Sequence, residues 1–392
     1  MKDISNRNLL NNPVKIVQTD SLSAKDLLKE CLEISPNLKH ITFIVDNAPI
    51  KEKELLLEDM KNLVNITVLD KVQPNPNTSD INYMFNQLKD TSLIIGIGGG
   101  SVLDSAKAIA MLQTNKGDLE DYLSTTPKRK IEKESLPLIL IPTTAGTGSE
   151  MTKVGVYTSL SKRKYTLSNV SMHAKKAILN TEYILNMPPN LIASTGADAL
   201  DHALETIWNK NANDATRKLA IEISIDIITN LFKMYQGAVN KDQDIDSCRN
   251  MLLASAMAGA TFSTTGTAAG HALSFVLSED FNVPHGSACA FTLLDIYKMS
   301  SSLDSVKSSL AQIAKAFFKD SDEDELISKL YEKLKQMFED MKLPTNFNEL
   351  GVEITKDDID AHFSRAFDDP KMWNQVPKAT KENIYPFLVA KC

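Results

Sequence analysis

The sequence predicts an α/β domain built on a parallel sheet, followed by an all-helical domain. In the first half, short apolar or β-branched runs alternate with amphipathic stretches, which is typical of a parallel sheet covered by helices. After Pro188 and Pro189, helical stretches follow one another and strand signals nearly vanish. A chain of 392 residues suits two domains at about 100–200 residues each. We therefore expect domains at residues 1–187 and 188–392.

The expected elements can be assigned in chain order. The strands are Val14–Val17, Ile41–Val45, Ile66–Leu69, Leu93–Ile97 and Pro137–Ile141. The helices among them are Ser21–Ile34, Lys51–Leu63, Ser79–Leu88 and Val102–Met111. The helices of the second domain are Leu191–Trp208, Arg217–Leu231, Ile245–Phe262, Ala288–Ser300 and Ser305–Phe317.

Composition narrows the class of protein. A net charge of -7 argues against nucleic-acid binding, which needs a basic surface. The four cysteines form no Cys-x-x-Cys pair, as expected for reduced thiols in a cytoplasmic protein. The amino terminus shows no apolar leader, and no apolar run approaches the roughly 20 residues of a membrane span. We expect a cytoplasmic protein that binds neither membranes nor nucleic acids.

Two polar turns follow neighbouring apolar strands. Leu93–Ile97 runs into Gly98-Gly99-Gly100-Ser101 and then a helix, so backbone N–H groups at a helix start can bind a phosphate. Ser101 can cap this helix or donate to phosphate, and it stands where the usual G-x-G-x-x-G pattern has its third glycine. The loop Pro142–Glu150 offers four hydroxyl groups on a backbone expected to be flexible. Together the two turns indicate a crevice for a dinucleotide, although each alone is also compatible with a tight turn that binds nothing.

Histidines and carboxylates in the second half suggest a metal site. Asp198 and His202 are four residues apart on a predicted helix, so both project from one face. His271 and His285 each lie beside a glycine or proline. One carboxylate with three imidazoles suits Fe(II) or Zn(II). Spacing alone leaves two further acidic candidates on the same helix, Asp201 and Glu205.

Taken together, these motifs resemble the iron-containing (group III) alcohol dehydrogenase family over roughly residues 13–300. The resemblance rests on Gly98–Ser101 with Asp104 and Lys107, on Pro142–Glu150, on Gly196–Glu205, and on His271 with Pro284-His285-Gly286. It implies the dehydroquinate synthase-like fold, with a dinucleotide-binding domain followed by a helical metal- and substrate-binding domain. The implied activity is hydride transfer between NAD(H) or NADP(H) and a small aldehyde or primary alcohol. A homodimer is also implied.

The resemblance also assigns site residues. The implied metal ligands, through which catalysis would occur, are Asp198, His202, His271 and His285, holding Fe(II) with Zn(II) as the alternative. The implied cofactor residues are Asp46, Asn75, Gly99, Gly100, Ser101, Asp104, Thr143, Thr144, Thr147, Lys164 and Leu185. Asp46 at the ribose would favour NAD, because its charge repels a 2′-phosphate, whereas Asn47 in that position would allow NADP.

Some features depart from the family or leave alternatives. Phe275 stands where many members have a second histidine, so a proton relay through that position is unavailable. The segment Ala203–Asn213 resembles the phosphonoacetaldehyde-reductase branch, which indicates a small, anionic aldehyde as one candidate substrate. The alternatives are a zinc polyol dehydrogenase similar to glycerol dehydrogenase, a protein similar to dehydroquinate synthase, and a non-catalytic nucleotide-binding protein.

Overall fold

The structure is a computed structural model that describes residues 1–3, 10–88, 90–124, 126–319 and 321–392. The amino-terminal stretch, in which no leader was expected, therefore lies partly outside the described residues. Contacts divide the chain into two units, Met1–Asn186 and Met187–Cys392.

A seven-stranded sheet forms the centre of the first unit. Its strand order is β1-β2-β9-β6-β5-β3-β4, and every neighbouring pair is parallel except β1 with β2. The strands are β1 Lys2–Asp3, β2 Lys15–Thr19, β3 His40–Val45, β4 Asn65–Leu69, β5 Leu93–Gly98, β6 Leu138–Pro142 and β9 Lys176–Asn180. A separate antiparallel pair consists of β7 Val154–Thr158 and β8 Lys164–Ser168.

Burial explains why the central strands could be predicted from continuous apolar runs in the sequence. All residues of β5 and β6 are buried, and such strands are apolar on both faces because helices cover both sides of a parallel sheet. The register pairs Gly98 with Pro142, so the glycine turn and the second loop leave the sheet side by side. The covering helices are α1 Ala24–Ile34, α2 Lys51–Lys61, α3 Thr78–Phe85 and α4 Gly100–Leu112.

The second unit is helical. Its helices are α5 Pro189–Ile207, α6 Asp214–Asn240, α7 Ile245–Thr265, α8 Ala269–Phe281, α9 His285–Ser300, α10 Asp304–Lys315, α11 Glu323–Asp340, α12 Ile359–Phe363 and α13 Lys381–Ala390. Helix α5 packs against α6, α7 and α9 and is buried over most of its length. Pro189 occupies its first turn, where a missing N–H costs nothing. Among the residues described, no helix combines the length and apolar character needed to cross a membrane.

The predicted fold class, a parallel α/β sheet domain followed by an all-helical domain, is confirmed. Three elements that the sequence did not predict, β7, β8 and α8, matter for the sites described below, as does an earlier start of α9. The pair β7 and β8 lies beside the second loop, and α8 carries His271. Helix α9 begins at His285, three residues earlier than expected.

Candidate metal and cofactor sites

Helix α5 places Asp198 and His202 one turn apart in the interior of the second unit. Their side chains are 2% and 5% exposed, and Asp198 Oδ1 lies 3.8 Å from His202 Nδ1. The His202 ring stacks between Phe262 and His271, at centroid distances of 4.2 and 4.4 Å. These contacts fix the imidazole while leaving its edge near the Asp198 carboxylate.

The other two histidines start neighbouring helices. His271 is the third residue of α8, and His285 is the first residue of α9. A Cβ atom on Gly286 would lie 2.2 Å from the backbone oxygen of Ser194, so only glycine allows α9 to approach α5 this closely. The glycine beside His285 therefore has a packing function that places the histidine against α5.

The four predicted ligands converge on one oxygen atom. Asp198 Oδ1 lies 3.5 Å from His271 Nε2, 3.7 Å from His285 Nε2 and 3.8 Å from His202 Nδ1. Donors bound to one tetrahedral ion at about 2.0–2.2 Å lie roughly 3.3–3.6 Å apart. The observed spacing thus suits a metal ion with little rearrangement.

The hydrogen bonding of these ligands also indicates a metal site. Asp198 Oδ1 and His271 Nε2 are buried and have no hydrogen-bond partner among the residues that the structure describes. Buried polar atoms are normally paired, so two unpaired atoms 3.5 Å apart indicate a position suited to a cation. Burial acts to raise the pKa of Asp198, but the positive charges of His202 and His285 hold it well below its ordinary range. The carboxylate is therefore ionised and able to bind a metal.

Asp201 and Glu205, the alternatives left open by spacing, lie behind His271. His271 Nδ1 is 2.8 Å from Glu205 Oε2 and 3.3 Å from Asp201 Oδ2, whereas Nε2 faces Asp198. Glu205 also accepts hydrogen bonds from the backbone N–H groups of Ala268, at 2.6 Å, and His271, at 3.2 Å. A carboxylate behind a metal-binding histidine fixes its tautomer and orientation. The geometry favours Asp198 over these two residues as the ligand.

Cys289 was not anticipated at this site. Its thiol is fully buried one turn after His285 on α9, and Sγ lies 3.7 Å from His285 Nε2. One donor atom each from Asp198, His271, His285 and Cys289 all lie within 4.8 Å of one another. Burial raises the pKa of this thiol to about 12 in the absence of a bound cation. The i, i+4 spacing in the sequence could have revealed it, had α9 been predicted to begin at His285.

Phe275 and Lys371 lie beside the proposed ligands. The Phe275 ring centroid is 6.3 Å from that of His285, and Phe275 is 7% exposed. The Lys371 ammonium lies 4.0 Å from the Phe275 ring centroid and 3.3 Å from Asp369 Oδ2. An apolar ring thus lies beside His285, and a cation lies against the ring.

In the first unit, the glycine turn is the start of helix α4. Gly99 is the N-cap, so Ser101 lies inside the first turn. Of the two roles expected for Ser101, helix capping is excluded, and donation to a phosphate stays a prediction. A Cβ on Gly100 would lie 2.7 Å from Thr147 Cγ2, and a Cβ on Gly99 would lie 3.5 Å from Thr144 Cγ2. The two turns therefore lie against each other.

The predicted cofactor residues of the two turns differ in their exposure to solvent. Thr143 is buried, and its N–H donates to Gly98 O at 3.0 Å. The partly exposed members, whose polar atoms a ligand could reach, are Gly99, Gly100, Ser101, Thr144 and Thr147. Free N–H groups at the start of α4 carry partial positive charge, which suits a pyrophosphate.

The second loop is packed, and the expectation of a flexible backbone is wrong. Ser149 Oγ donates to Asp104 Oδ1 at 2.6 Å, and the buried Lys107 ammonium donates to Ser149 O and Oγ at 2.6 and 2.7 Å. The N–H of Val156 donates to Asp104 Oδ2 at 2.9 Å. Asp104 therefore joins α4, the second loop and β7. Its expected contact with the cofactor stays a prediction.

The remaining predicted cofactor residues occupy three places. Asp46 follows β3, and its Oδ2 would lie 3.0 Å from a Cβ on Gly98, whereas Asn47 is exposed. This proximity to the glycine turn favours Asp46 as the ribose contact. Asp46 Oδ1 also accepts a 2.8 Å hydrogen bond from the buried ammonium of Lys53, a partner that sequence reasoning missed.

Asn75 and Lys164 are both placed beside Thr158, the last residue of β7. Asn75 has a left-handed backbone with φ 56°, and the next residue, Pro76, accepts a 2.9 Å hydrogen bond from the N–H of Thr158. Thr158 pairs with Lys164. Leu185 directly follows the short 3-10 helix Thr181–Ile184 after β9, with no described contact to the glycine turn.

Comparison with known proteins identifies the family. The family model "Iron-containing alcohol dehydrogenase" matches residues 18–181, and "Fe-containing alcohol dehydrogenase family, C-terminal" matches residues 192–391. Long-chain-alcohol dehydrogenase 1 of Geobacillus thermodenitrificans is 33% identical over 337 residues, covering 82% of this chain and 83% of that protein. Alcohol dehydrogenase 4 of Saccharomyces cerevisiae is 31% identical over 329 residues, covering 83% of each.

Solved structures share the fold. A 1,3-propanediol oxidoreductase matches with a TM-score of 0.85 at 22% identity, covering 96% of this chain and 97% of that chain. A sulfoacetaldehyde reductase from Bifidobacterium kashiwanohense, in complex with NAD+, matches with a TM-score of 0.85 at 24% identity, covering 97% of each. These likenesses agree with the two-part architecture described above.

Proposed function

The chain belongs to the iron-containing alcohol dehydrogenase family, and from that membership we propose that it interconverts a small aldehyde and its primary alcohol. This family of oxidoreductases acts on CH–OH groups and uses iron and NAD(H). One observation carries the proposal. A nitrogen of His202, His271 and His285 lies between 3.5 and 3.8 Å from the buried Asp198 Oδ1.

Asp198, His202, His271 and His285 would hold the metal. A carboxylate with three imidazoles suits Fe(II), the metal of the family, and also Zn(II). When bound, such a metal supplies Lewis-acid polarisation of a carbonyl or hydroxyl oxygen. Glu205 keeps the Nε2 atom of His271 directed toward Asp198 by accepting from the opposite ring nitrogen.

Phe275 contributes shape and not proton transfer. Its ring carries no titratable group, and it is nearly buried beside His285. It therefore excludes water from one side of the proposed ligands and lowers the local dielectric, which strengthens electrostatic effects on a reacting carbonyl. The proton that an alkoxide needs must come from another group or from water.

The glycine turn and second loop would bind NAD(H). The N-terminus of α4 receives the pyrophosphate, with the hydroxyls of Thr144 and Thr147 at its edge. Asp46 would accept from a ribose hydroxyl and repel a 2′-phosphate, which supports NAD over NADP. Lys53 holds the Asp46 carboxylate in place through its 2.8 Å contact.

A small aldehyde that carries an acidic group is the substrate class we favour. The Lys371 ammonium lies one aromatic ring away from His285 and can attract an anion, although burial lowers its pKa and Asp369 partly neutralises it. The structural neighbour that reduces sulfoacetaldehyde acts on a compound of this type. Phosphonoacetaldehyde is the analogous phosphonate. The homodimer and the cytoplasmic location stay predictions.

The test is a substrate panel followed at the nicotinamide absorbance band. Protein loaded anaerobically with Fe(II) or Zn(II) is assayed with simple aldehydes, sulfoacetaldehyde and phosphonoacetaldehyde, each with NADH and NADPH. We expect NADH-dependent reduction of a small aldehyde that disappears on chelation while NADH still binds. Full activity of a chelated, metal-free sample would contradict the mechanism, and wild-type metal content in both His202→Ala and His285→Ala would reject the ligand set.

A further inference from the structure

Cys289 has a position that the proposed function does not use. It lies four residues after His285 on α9, so the two side chains project from one face of the helix. Its Sγ atom is 3.7 Å from His285 Nε2 and 3.9 Å from His285 Nδ1. The residue is 0% exposed, so this thiol faces the protein interior and not solvent.

The surroundings of Cys289 point independently to a cation. Asp198 Oδ1 and His271 Nε2 are buried and make no hydrogen bond to any residue in the described part of the chain. These two atoms, His285 and the Cys289 sulfur form a group in which all donor atoms lie within 4.8 Å of one another. The sulfur therefore belongs to the same cluster as the orphaned carboxylate and imidazole atoms.

The spacing also suits coordination by sulfur. A metal–sulfur bond of about 2.3 Å and a metal–nitrogen bond of about 2.0–2.1 Å place the two donors roughly 3.5 Å apart on a tetrahedral ion. The observed separation of Cys289 Sγ from His285 Nε2 is 3.7 Å. This separation is within about 0.2 Å of the value expected for two donors on one ion.

We propose that Cys289 binds the metal as a thiolate, in addition to Asp198, His202, His271 and His285. This inference rests on the proposed metal site and adds a ligand to it. On binding, the S–H bond breaks, a metal–sulfur bond forms, and the proton leaves to solvent. Thiolate is a soft ligand, so it shifts the preference of the site toward Zn(II) relative to a site with only nitrogen and oxygen donors.

The test uses the full-length protein loaded with Zn(II) for X-ray absorption and with Co(II) for optical spectroscopy. We expect a sulfur shell at about 2.3 Å from zinc. We also expect a near-ultraviolet thiolate-to-Co(II) charge-transfer band. The band should be lost in Cys289→Ala, and zinc affinity should fall by about tenfold or more. The matched control is Cys248→Ala, because Cys248 is equally buried but lies on α7 beside Gln243.

The outcomes separate this inference from the proposed function. Metal bound with nitrogen and oxygen donors only, in wild type and Cys289→Ala alike, would overturn the role of Cys289 and leave the metal site intact. No metal bound by wild-type protein would overturn both. If Cys289→Ala does not fold, the sulfur shell in wild-type protein and the similarly sized Cys289→Ser variant decide the question.

Discussion

Replacing Glu205 with alanine should weaken both metal binding and the helix that carries His271. The 1%-exposed carboxylate accepts from three buried donors: the N–H of Ala268, the N–H of His271 and the His271 imidazole. Ala268, the N-cap of α8, offers no side-chain hydrogen bond, so Glu205 is what caps this helix.

The expected loss of stability follows from these three hydrogen bonds. Each buried donor left without a partner costs about 1–3 kcal/mol, and water entering the space left by the side chain recovers part of that loss. We expect the free energy of unfolding to fall by about 3–5 kcal/mol in Glu205→Ala. In Glu205→Gln, which keeps one acceptor oxygen but no charge, the loss should be about 1–2 kcal/mol. Metal affinity should drop about 10–100-fold in both, because His271 loses its orienting carboxylate.

Urea unfolding of the metal-free protein measures the first effect, and competition with a chelator of known affinity measures the second. Glu222→Ala is the control, since Glu222 is exposed on α6 and its loss should change stability by less than about 0.5 kcal/mol. Should Glu205→Ala match this control in both measurements, the capping and orienting roles assigned to Glu205 are wrong.

Three further predictions concern the first unit. Asp46→Ala should raise the kcat/KM ratio of NADPH over NADH by about tenfold or more, because a charge that repels the 2′-phosphate is removed; an unchanged ratio would contradict its place at the ribose. Gly100→Ala should weaken NADH binding in a fluorescence titration by about tenfold, since the new Cβ would come within 2.7 Å of Thr147 Cγ2; unaltered affinity would place the cofactor elsewhere. Burial raises the pKa of Glu150 from 4.5 to about 7, so its contribution to stability is full below pH 4.5 and is lost as pH rises through 7. As pH rises from 4.5 to 8, the free energy of unfolding of Glu150→Gln in urea should therefore increase by up to about 3 kcal/mol relative to that of wild type. Unfolding free energies that depend on pH in the same way in both proteins would refute this.

The parts of the fold that the sequence predicted well are those with a strong local pattern. Strands β5 and β6 are continuous apolar runs, and the alternation of strands with amphipathic helices identified the parallel sheet. Helix α8 was missed because ten of its thirteen residues are buried, so it has no polar face to reveal a helical period. The pair β7 and β8 was missed because its strands are short, partly polar and separated by a basic turn.

The site was predicted in its residue types but not in its contacts. The metal ligands were suggested by the types and spacing of Asp198 and His202 and assigned through the family resemblance. The role of Glu205 depends on the start of α8, which the sequence did not show. Cys289 was overlooked because α9 was expected to begin at Ala288. His285 would then lie outside the helix, so the sequence did not show that His285 and Cys289 project from the same helix face. The contact between Lys107 and Ser149 joins residues 42 positions apart, beyond the reach of any local pattern.

The close approach at Gly286 has a consequence for metal uptake. With no side chain between the Ser194 carbonyl and α9, the helices that carry Asp198 and His285 touch backbone to backbone. The entropy of bringing these donors together is thus already lost when the polypeptide folds, and an incoming ion does not have to meet that cost. We expect the empty protein to hold the same helix arrangement as the loaded one, with ion capture limited by dehydration and not by a rearrangement of the chain.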